Sequence, residues 1–333
     1  MQDIQVRRAK RQKLRAAIAI IGASGSGKTL GALLIAYGMM KTKYPDLEDY
    51  DIWGKIGLID TEHDRSLVYE GMVFQDVQIG EFLQVSLSAP YSIQRFSHAF
   101  KLLIDAGAEV IIADSASHLW EGEGGVLDYQ QHLGGRFQDW QKANKDAYNP
   151  LVRLITGETH DVHVINTIRA KQEYVVDRNE FDGKIEVKKL GLKPVQRDSL
   201  EYEFQVVFNV DMEHKFQTSK DNSTLFEGRH EPITPEIGKQ LYEWLEAGVD
   251  IFAERRAEEE RREQQRKGLI EEILRLVNEF DIMDWFVGIL KHPYFNVTVD
   301  TIDQLSLEQL ERLRVGLQGK IEEIEKQKTG GNA

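Results

Sequence analysis

The chain has 333 residues, with 42 Lys and Arg against 55 Asp and Glu, a net charge of −13 and no cysteine. Such a length suits one large domain and one small one around an ample core, and the missing cysteine excludes disulfides and thiolate metal sites, as expected of a reducing cytoplasm. The acidic balance excludes a surface that attracts nucleic acid everywhere but permits a local basic groove, because screening confines each charge to about 10 Å. No apolar run approaches the roughly 20 residues of a membrane span, so no membrane partner is expected, and the basic N-terminus lacks the apolar region of a secretory signal.

Residues 1–13 form a basic arm or helix, with Arg7, Arg8, Lys10, Arg11 and Lys13 followed closely by Arg15. It is either a solvated arm or a contact with phosphates or a neighbouring subunit. A strand is predicted at Ala17–Gly22, followed by a helix at Lys28–Thr42. Between them, Gly22, Ala23, Ser24, Gly25, Ser26, Gly27, Lys28 and Thr29 fit G-x-x-x-x-G-K-[ST] in its strand-to-helix context. Glycines let the backbone wrap an anion so that several N–H groups and the helix N-terminus face the phosphates. Lys28 then reaches the β- and γ-phosphates, and Thr29 offers a hydroxyl to Mg²⁺. The pattern predicts binding of a nucleoside triphosphate, ATP or GTP.

Further strands are predicted at Lys55–Ile59, Val77–Gly80, Val110–Asp114, Val162–Thr167 and Tyr202–Val210, with helices at Ile93–Ala106 and roughly Phe137–Thr156. This alternation implies an α/β fold with a mainly parallel sheet covered on both faces. The strand ending at Asp114 has the form of a Walker B element, whose carboxylate holds Mg²⁺ with Thr29. The strand before Asp60, Thr61, Glu62 and His63 delivers two acids near the γ-phosphate, where one could activate the attacking water or both could be loop acids. His160 and His163 fall on opposite faces of a strand, which argues against a metal site. Ser115 lacks the context of a nucleophile, and Tyr91, Phe96 and Phe100 are expected in the core.

These segments together resemble the RecA-type recombinase core over roughly residues 14–230. The resemblance assigns the catalytic base to Glu62, within Asp60-Thr61-Glu62-His63, and matches Asp114-Ser115 to the end of the Walker B strand. It sets Asn166, Thr167, Ile168 and Arg169 against the family's Asn-Gln-Ile-Arg, with Thr167 in place of the γ-phosphate-sensing glutamine. Within the superfamily the chain looks like phage and prophage single-strand annealing or recombination ATPases, through Lys193–Phe208 and Lys220–Phe226. There Lys220 and Asn222 stand where such proteins show Lys-x-Arg, a finger that touches a neighbour's γ-phosphate. Lys215 or Arg229 is the alternative finger. The resemblance implies Mg-ATP hydrolysis between subunits of a ring or filament, in the cytoplasm of a bacterial host. It further implies single-stranded DNA as a partner in recombination, annealing or repair, with a single-strand binding protein or helicase as a further candidate. The alternatives are an ATP-dependent switch working through a protein partner, in the manner of a helicase loader, and a ring translocase.

By the same resemblance two stretches would face DNA. His118 to Gly135 carries Trp120 and Tyr129 among glycines, and the choice there is between base stacking and core packing. Arg169 to Arg197 carries Lys171, Arg178, Lys184, Lys188, Lys189, Lys193 and Arg197, and is either a DNA groove or an ordinary β-hairpin. With the ATPase core taken as 14–235, the charged run within 236–268 reads as a helical linker. A small helical domain is expected at 269–328, with apolar stripes from Ile270 and from Leu310, the second opened by a capping box at Ser306 and Gln309. A disordered tail is expected at 329–333, and no long-period repeat is visible.

Overall fold

A computed structural model describes residues 8, 9, 11–178, 185–249 and 251–330, with side chains except at 172–192, 251–259 and 327–330. The chain divides into two compact units, Met1–Val249 and Asp250–Ala333. The strands of the first are β1 (Ala17–Gly22), β2 (Ile56–Asp60), β3 (Val73–Phe74), β4 (Val77–Gln78), β5 (Leu83–Ser86), β6 (Val110–Asp114), β7 (His163–Arg178), β8 (Ile185–Pro194), β9 (Val206–Val210), β10 (Lys215–Asp221) and β11 (Glu231–Pro232). Its helices are α1 (Lys28–Lys43), α2 (Asp49–Trp53), α3 (Ile93–Asp105), α4 (Ser117–Glu121), α5 (Val126–His132), α6 (Trp140–Ala143), α7 (Asn149–Ile155) and α8 (Pro235–Glu246).

The main sheet runs in the order β11-β10-β9-β1-β7-β6-β2-β5, with β8 paired to β7. From β9 to β5 every pairing is parallel, and β10, β11 and β8 add antiparallel partners, so the fold is α/β with a mostly parallel mixed sheet. β1, β2 and β6 are buried at every residue, as expected of parallel strands covered on both faces. Period-two alternation divides β1 between two cores. Ile18 and Ile20 join Leu33, Ile35 and Met39 of α1, while Ala17, Ala19 and Ile21 join Phe96, Phe100 and Leu151 on the opposite face.

Several elements differ from their sequence-based boundaries, each for a tertiary reason. β7 continues far past Thr167, because β8 returns antiparallel beside it through Ala170–Arg178 and supplies the hydrogen bonds the main sheet no longer gives. The strand expected at 77–80 is β4, which pairs only with β3 in a small separate hairpin, and the main-sheet edge is β5 instead. The helix expected over 137–156 is broken into a 3₁₀ turn, α6, a π turn at Asn144–Tyr148 and α7. The first unit also extends beyond the expected 235. α8 buries Ile237, Leu241 and Leu245 in the α1 core, and two glycines permit a close crossing. A Cβ on Gly38 would sit 1.9 Å from Pro235 O, and one on Gly238 would sit 2.1 Å from Ile35 O.

The second unit holds α9 (Ile251–Glu279), α10 (Met283–Leu290) and α11 (Leu307–Gly330), so the charged run and the first apolar stripe share one helix. Ile273, Val277, Phe286, Leu290, Leu310, Leu313 and Leu317 form its own core. Ser306 N–H donates to Gln309 Oε1 at 3.0 Å and Gln309 N–H donates to Ser306 Oγ at 3.2 Å, the reciprocal bonds of a capping box. Part of the expected tail, 331–333, lies outside the described residues. Among the described residues no helix is long and apolar enough to cross a membrane.

Candidate functional site

The carboxyl ends of β1, β2 and β6, and the point on β7 where its parallel pairing with β1 ends at Arg169, open into one cleft, the usual ligand position of an open parallel sheet. Ser24, Gly25, Lys28, Thr29, Glu62, Arg65, Tyr69, Asp114, Glu121, Arg169, Ala170 and Lys171 line it. On the β1 side the loop leaves Gly22 and turns through Gly25 (φ 82°) and Gly27 (φ 88°), a left-handed backbone that favours glycine. Gly27 caps α1, so the first N–H groups of that helix face the cleft without a side-chain cap. At Gly22 the space is closed, since a Cβ there would meet Ser26 Oγ at 2.5 Å and Val210 O at 2.7 Å. The loop is braced from β10's side, with His214 Nδ1 3.0 Å from Ser26 O.

The predicted phosphate and metal residues meet here. Lys28 Nζ donates to Ala23 O at 2.8 Å, folding over the loop. Its ammonium is pulled below the ordinary lysine range by burial, with Asp114 and Glu62 opposing and Arg169 adding to the effect. Thr29 Oγ1 donates to Asp114 Oδ2 at 2.7 Å, and Thr167 Oγ1 donates to Asp114 Oδ1. Burial pushes the Asp114 carboxyl up against these two hydrogen bonds. An all-oxygen donor set of a hydroxyl and a carboxylate suits a hard cation such as Mg²⁺. The peptide after Asp114 is cis. Thr167, expected as a shortened γ-phosphate sensor, is thus fully buried and tied to Asp114.

The two acids after β2 separate sharply. Asp60 is 1% exposed and its carboxylate is consumed in the turn, accepting from Glu62 N–H at 2.6 Å, Ser66 N–H at 3.0 Å and Ser66 Oγ at 2.5 Å. Glu62 instead lines the cleft, where the Arg169 guanidinium grips it bidentately, Nε to Oε1 at 2.6 Å and Nη2 to Oε2. Burial raises the Glu62 carboxyl, but the hydrogen bonds and charge of Arg169 hold it below the usual glutamate range, with His118 and Arg65 helping. Between them Thr61 is a structural pin. It donates to Asp114 O at 3.1 Å, accepts from Ser115 N–H at 2.8 Å, and lies 2.7 Å from His118 Nδ1. His118 is stacked on Tyr91, 4.8 Å between centroids.

Lys220 lies outside this cleft. Its ammonium donates to Tyr202 O at 2.6 Å, and the alternative fingers are also engaged, Lys215 with Glu213 at 2.9 Å and Arg229 with Glu231 and Gln240. His163 is a core residue that accepts from Ala16 N–H at 3.0 Å, and burial pulls its imidazole down to about 3. Among the described residues no cluster of three or more His, Asp or Glu is arranged to hold a metal.

The stretches expected to face DNA have contrasting surroundings. Trp120 stacks on Trp140 at 6.0 Å and meets Tyr148 edge-on at 5.8 Å, and Tyr129 donates to Asp146 Oδ2 at 3.2 Å, so both aromatics are engaged and half-buried. The second stretch is the β7–β8 hairpin. Lys171 pairs with Glu121 at 2.8 Å, Lys193 with Asp198 at 3.2 Å, and Arg197 lies over Tyr148 at 4.6 Å. Lys184 and the side chains of Arg178, Lys188 and Lys189 lie outside the described residues.

Sequence reasoning missed Arg169 as a cleft residue, along with Arg65, Tyr69 and Glu121. For Arg169 a signal existed: it follows Thr167 by two, and strand periodicity puts both on one face. Compared with known proteins, the chain matches no family model and no curated sequence.

Proposed function

We propose that this chain is a RecA-like P-loop ATPase that binds and hydrolyses Mg-ATP and acts on single-stranded DNA in phage-type recombination, annealing or repair. The observation that carries the reading is the convergence of Lys28, the Thr29–Asp114 pair and Glu62 in one cleft, at the carboxyl ends of neighbouring parallel strands. The left-handed glycines and the uncapped α1 N-terminus supply N–H donors for the α- and β-phosphates. Lys28 would leave Ala23 O for the β- and γ-phosphates, and Thr29 and Asp114 would hold Mg²⁺, which neutralises phosphate charge when bound. Glu62 would orient and deprotonate the attacking water, while Asp60 keeps the turn that presents it.

Assembly into a ring or filament, with Lys220 as the finger toward a neighbour's nucleotide, belongs to the same proposal. The test is steady-state ATP hydrolysis with and without single-stranded DNA. Stimulation by DNA is expected, and a flat response removes the DNA assignment. A second reading, an ATP-dependent switch that works through a protein partner, is favoured by the contacts of Trp120 with Trp140 and of Tyr129 with Asp146, which already engage the two rings of that stretch. Under it, turnover responds to the partner and is indifferent to DNA.

A further inference from the structure

Every charged group in the cleft is matched inside the chain, but one match sets two functional groups against each other. Both carboxylate oxygens of Glu62 accept from the planar fork of Arg169, an arrangement that occupies one lone pair on each oxygen and lowers the basicity a general base needs toward water. The Glu62 side chain is 16% exposed and that of Arg169 is 39% exposed, so the acid is covered and the guanidinium fronts the open cleft. Arg169 also lies within electrostatic reach of Lys28, Glu121 and Asp114. It is therefore a second cation beside the lysine assigned to the β- and γ-phosphates. Its backbone is fixed independently of the ion pair. Arg169 N–H donates to Ser117 Oγ at 3.0 Å, and Val195 N–H donates to Arg169 O at 2.7 Å, so only the side chain need move to exchange partners.

Resting on the ATPase reading above, we propose that Arg169 distinguishes triphosphate from diphosphate by exchanging its ion pair, leaving Glu62 for the terminal phosphate and thereby freeing Glu62 to hold water. Only a ligand with a charged group at the γ position offers the guanidinium an acceptor of comparable strength, since phosphate and carboxylate are alternative bidentate partners for the same fork. With a diphosphate the Arg169–Glu62 pair stays closed and the base stays masked. Thr167 does not offer this exchange, because it is fully buried, is absent from the cleft lining and donates its hydroxyl to Asp114. Arg169 is also the last residue of β7 before the stretch that pairs with β8, so a ligand seated on the hairpin would act on the base through one residue.

The swap has a signature that a purely structural ion pair lacks. Arg169→Gln removes the γ-phosphate contact, whereas Glu62→Gln weakens the competitor and releases the arginine. The two substitutions therefore move nucleotide preference in opposite directions. The experiment is isothermal titration of Mg-ADP and of Mg-bound β,γ-imido-ATP into the full chain as wild type, Arg169→Gln and Glu62→Gln, with melting temperatures to verify folding. The ratio of triphosphate to diphosphate affinity should fall about tenfold to a hundredfold in Arg169→Gln, the scale of one lost charge-assisted contact, and should rise in Glu62→Gln. A ratio that is unchanged in Arg169→Gln, or that falls in both variants, overturns the exchange while leaving the nucleotide site intact. A wild-type chain that binds neither ligand overturns the ATPase reading and the exchange with it.

Discussion

The cleft and the lobe of α4 to α7 flank the same strand ends but spend their side chains differently. In the cleft, polar groups from distant segments cross-link: Thr29 to Asp114, Thr167 to Asp114, Arg169 to Glu62. In the lobe, Trp120 stacks on Trp140 and meets Tyr148, which joins the core behind β6. Charges that converge at the carboxyl end of a parallel sheet are costly to arrange in a half-buried space, which is what makes such a cluster a candidate site. Aromatic rings between glycines carry no such implication; burying them is rewarded by packing alone.

The sharpest way to break this contrast is at Glu62. Glu62→Gln should keep nucleotide binding and lower turnover by about 10²- to 10⁴-fold, the scale of a general base, in a steady-state ATPase assay. Near-normal turnover would put the base elsewhere, and the closed hydrogen-bond set of Asp60 makes it a poor substitute.

The lobe yields the next largest effect. Trp120→Ala should cost about 2–4 kcal/mol of stability, read by chemical denaturation, with little change in single-stranded DNA affinity per folded molecule. If Trp120 were instead a stacking platform, stability would hold and binding would weaken by about 1–3 kcal/mol.

A pH-dependent effect sharpens the contrast between a buried histidine and the charged cleft. The His163 imidazole is held neutral, burial having drawn it down to about 3 from the ordinary histidine value of 6.5. The unfolded chain therefore binds the extra proton first, and stability is lost as pH falls from about 6.5 toward 3, with a slope of at most about 1.4 kcal/mol per pH unit. Melting curves across that window should show the loss, and His163→Gln should flatten it. An unaltered slope in that variant would assign the acid sensitivity to the carboxylates.

How far the sequence could be read follows the same division. The glycine loop, Lys28 and Thr29 are contiguous, and their geometry is set by adjacent φ angles and one helix start, so spacing alone revealed them. Asp114 was legible because a buried strand must end somewhere, and an acid at that end faces the loop. Arg169 lies 107 positions from Glu62, and no local pattern announces a partner that the β2–β6 and β6–β7 pairings together bring near. The edge strand β5, the long β7–β8 hairpin and the place of α8 in the first unit were likewise decided by pairing and by glycine-permitted close contact, which periodicity does not register. The surroundings of Trp120 depend on where Trp140 and Tyr148 fall in a broken helix, whose breaks the sequence pattern does not show.

The central claim is that the cleft holds a nucleoside triphosphate through Lys28. Equilibrium binding of Mg-ATP to the wild-type chain and to Lys28→Ala, with both melting profiles recorded, tests it directly. Saturable binding by the wild type, lost in a folded Lys28→Ala protein, is the expected result. Equal binding by the two, or none by the wild type, would contradict it.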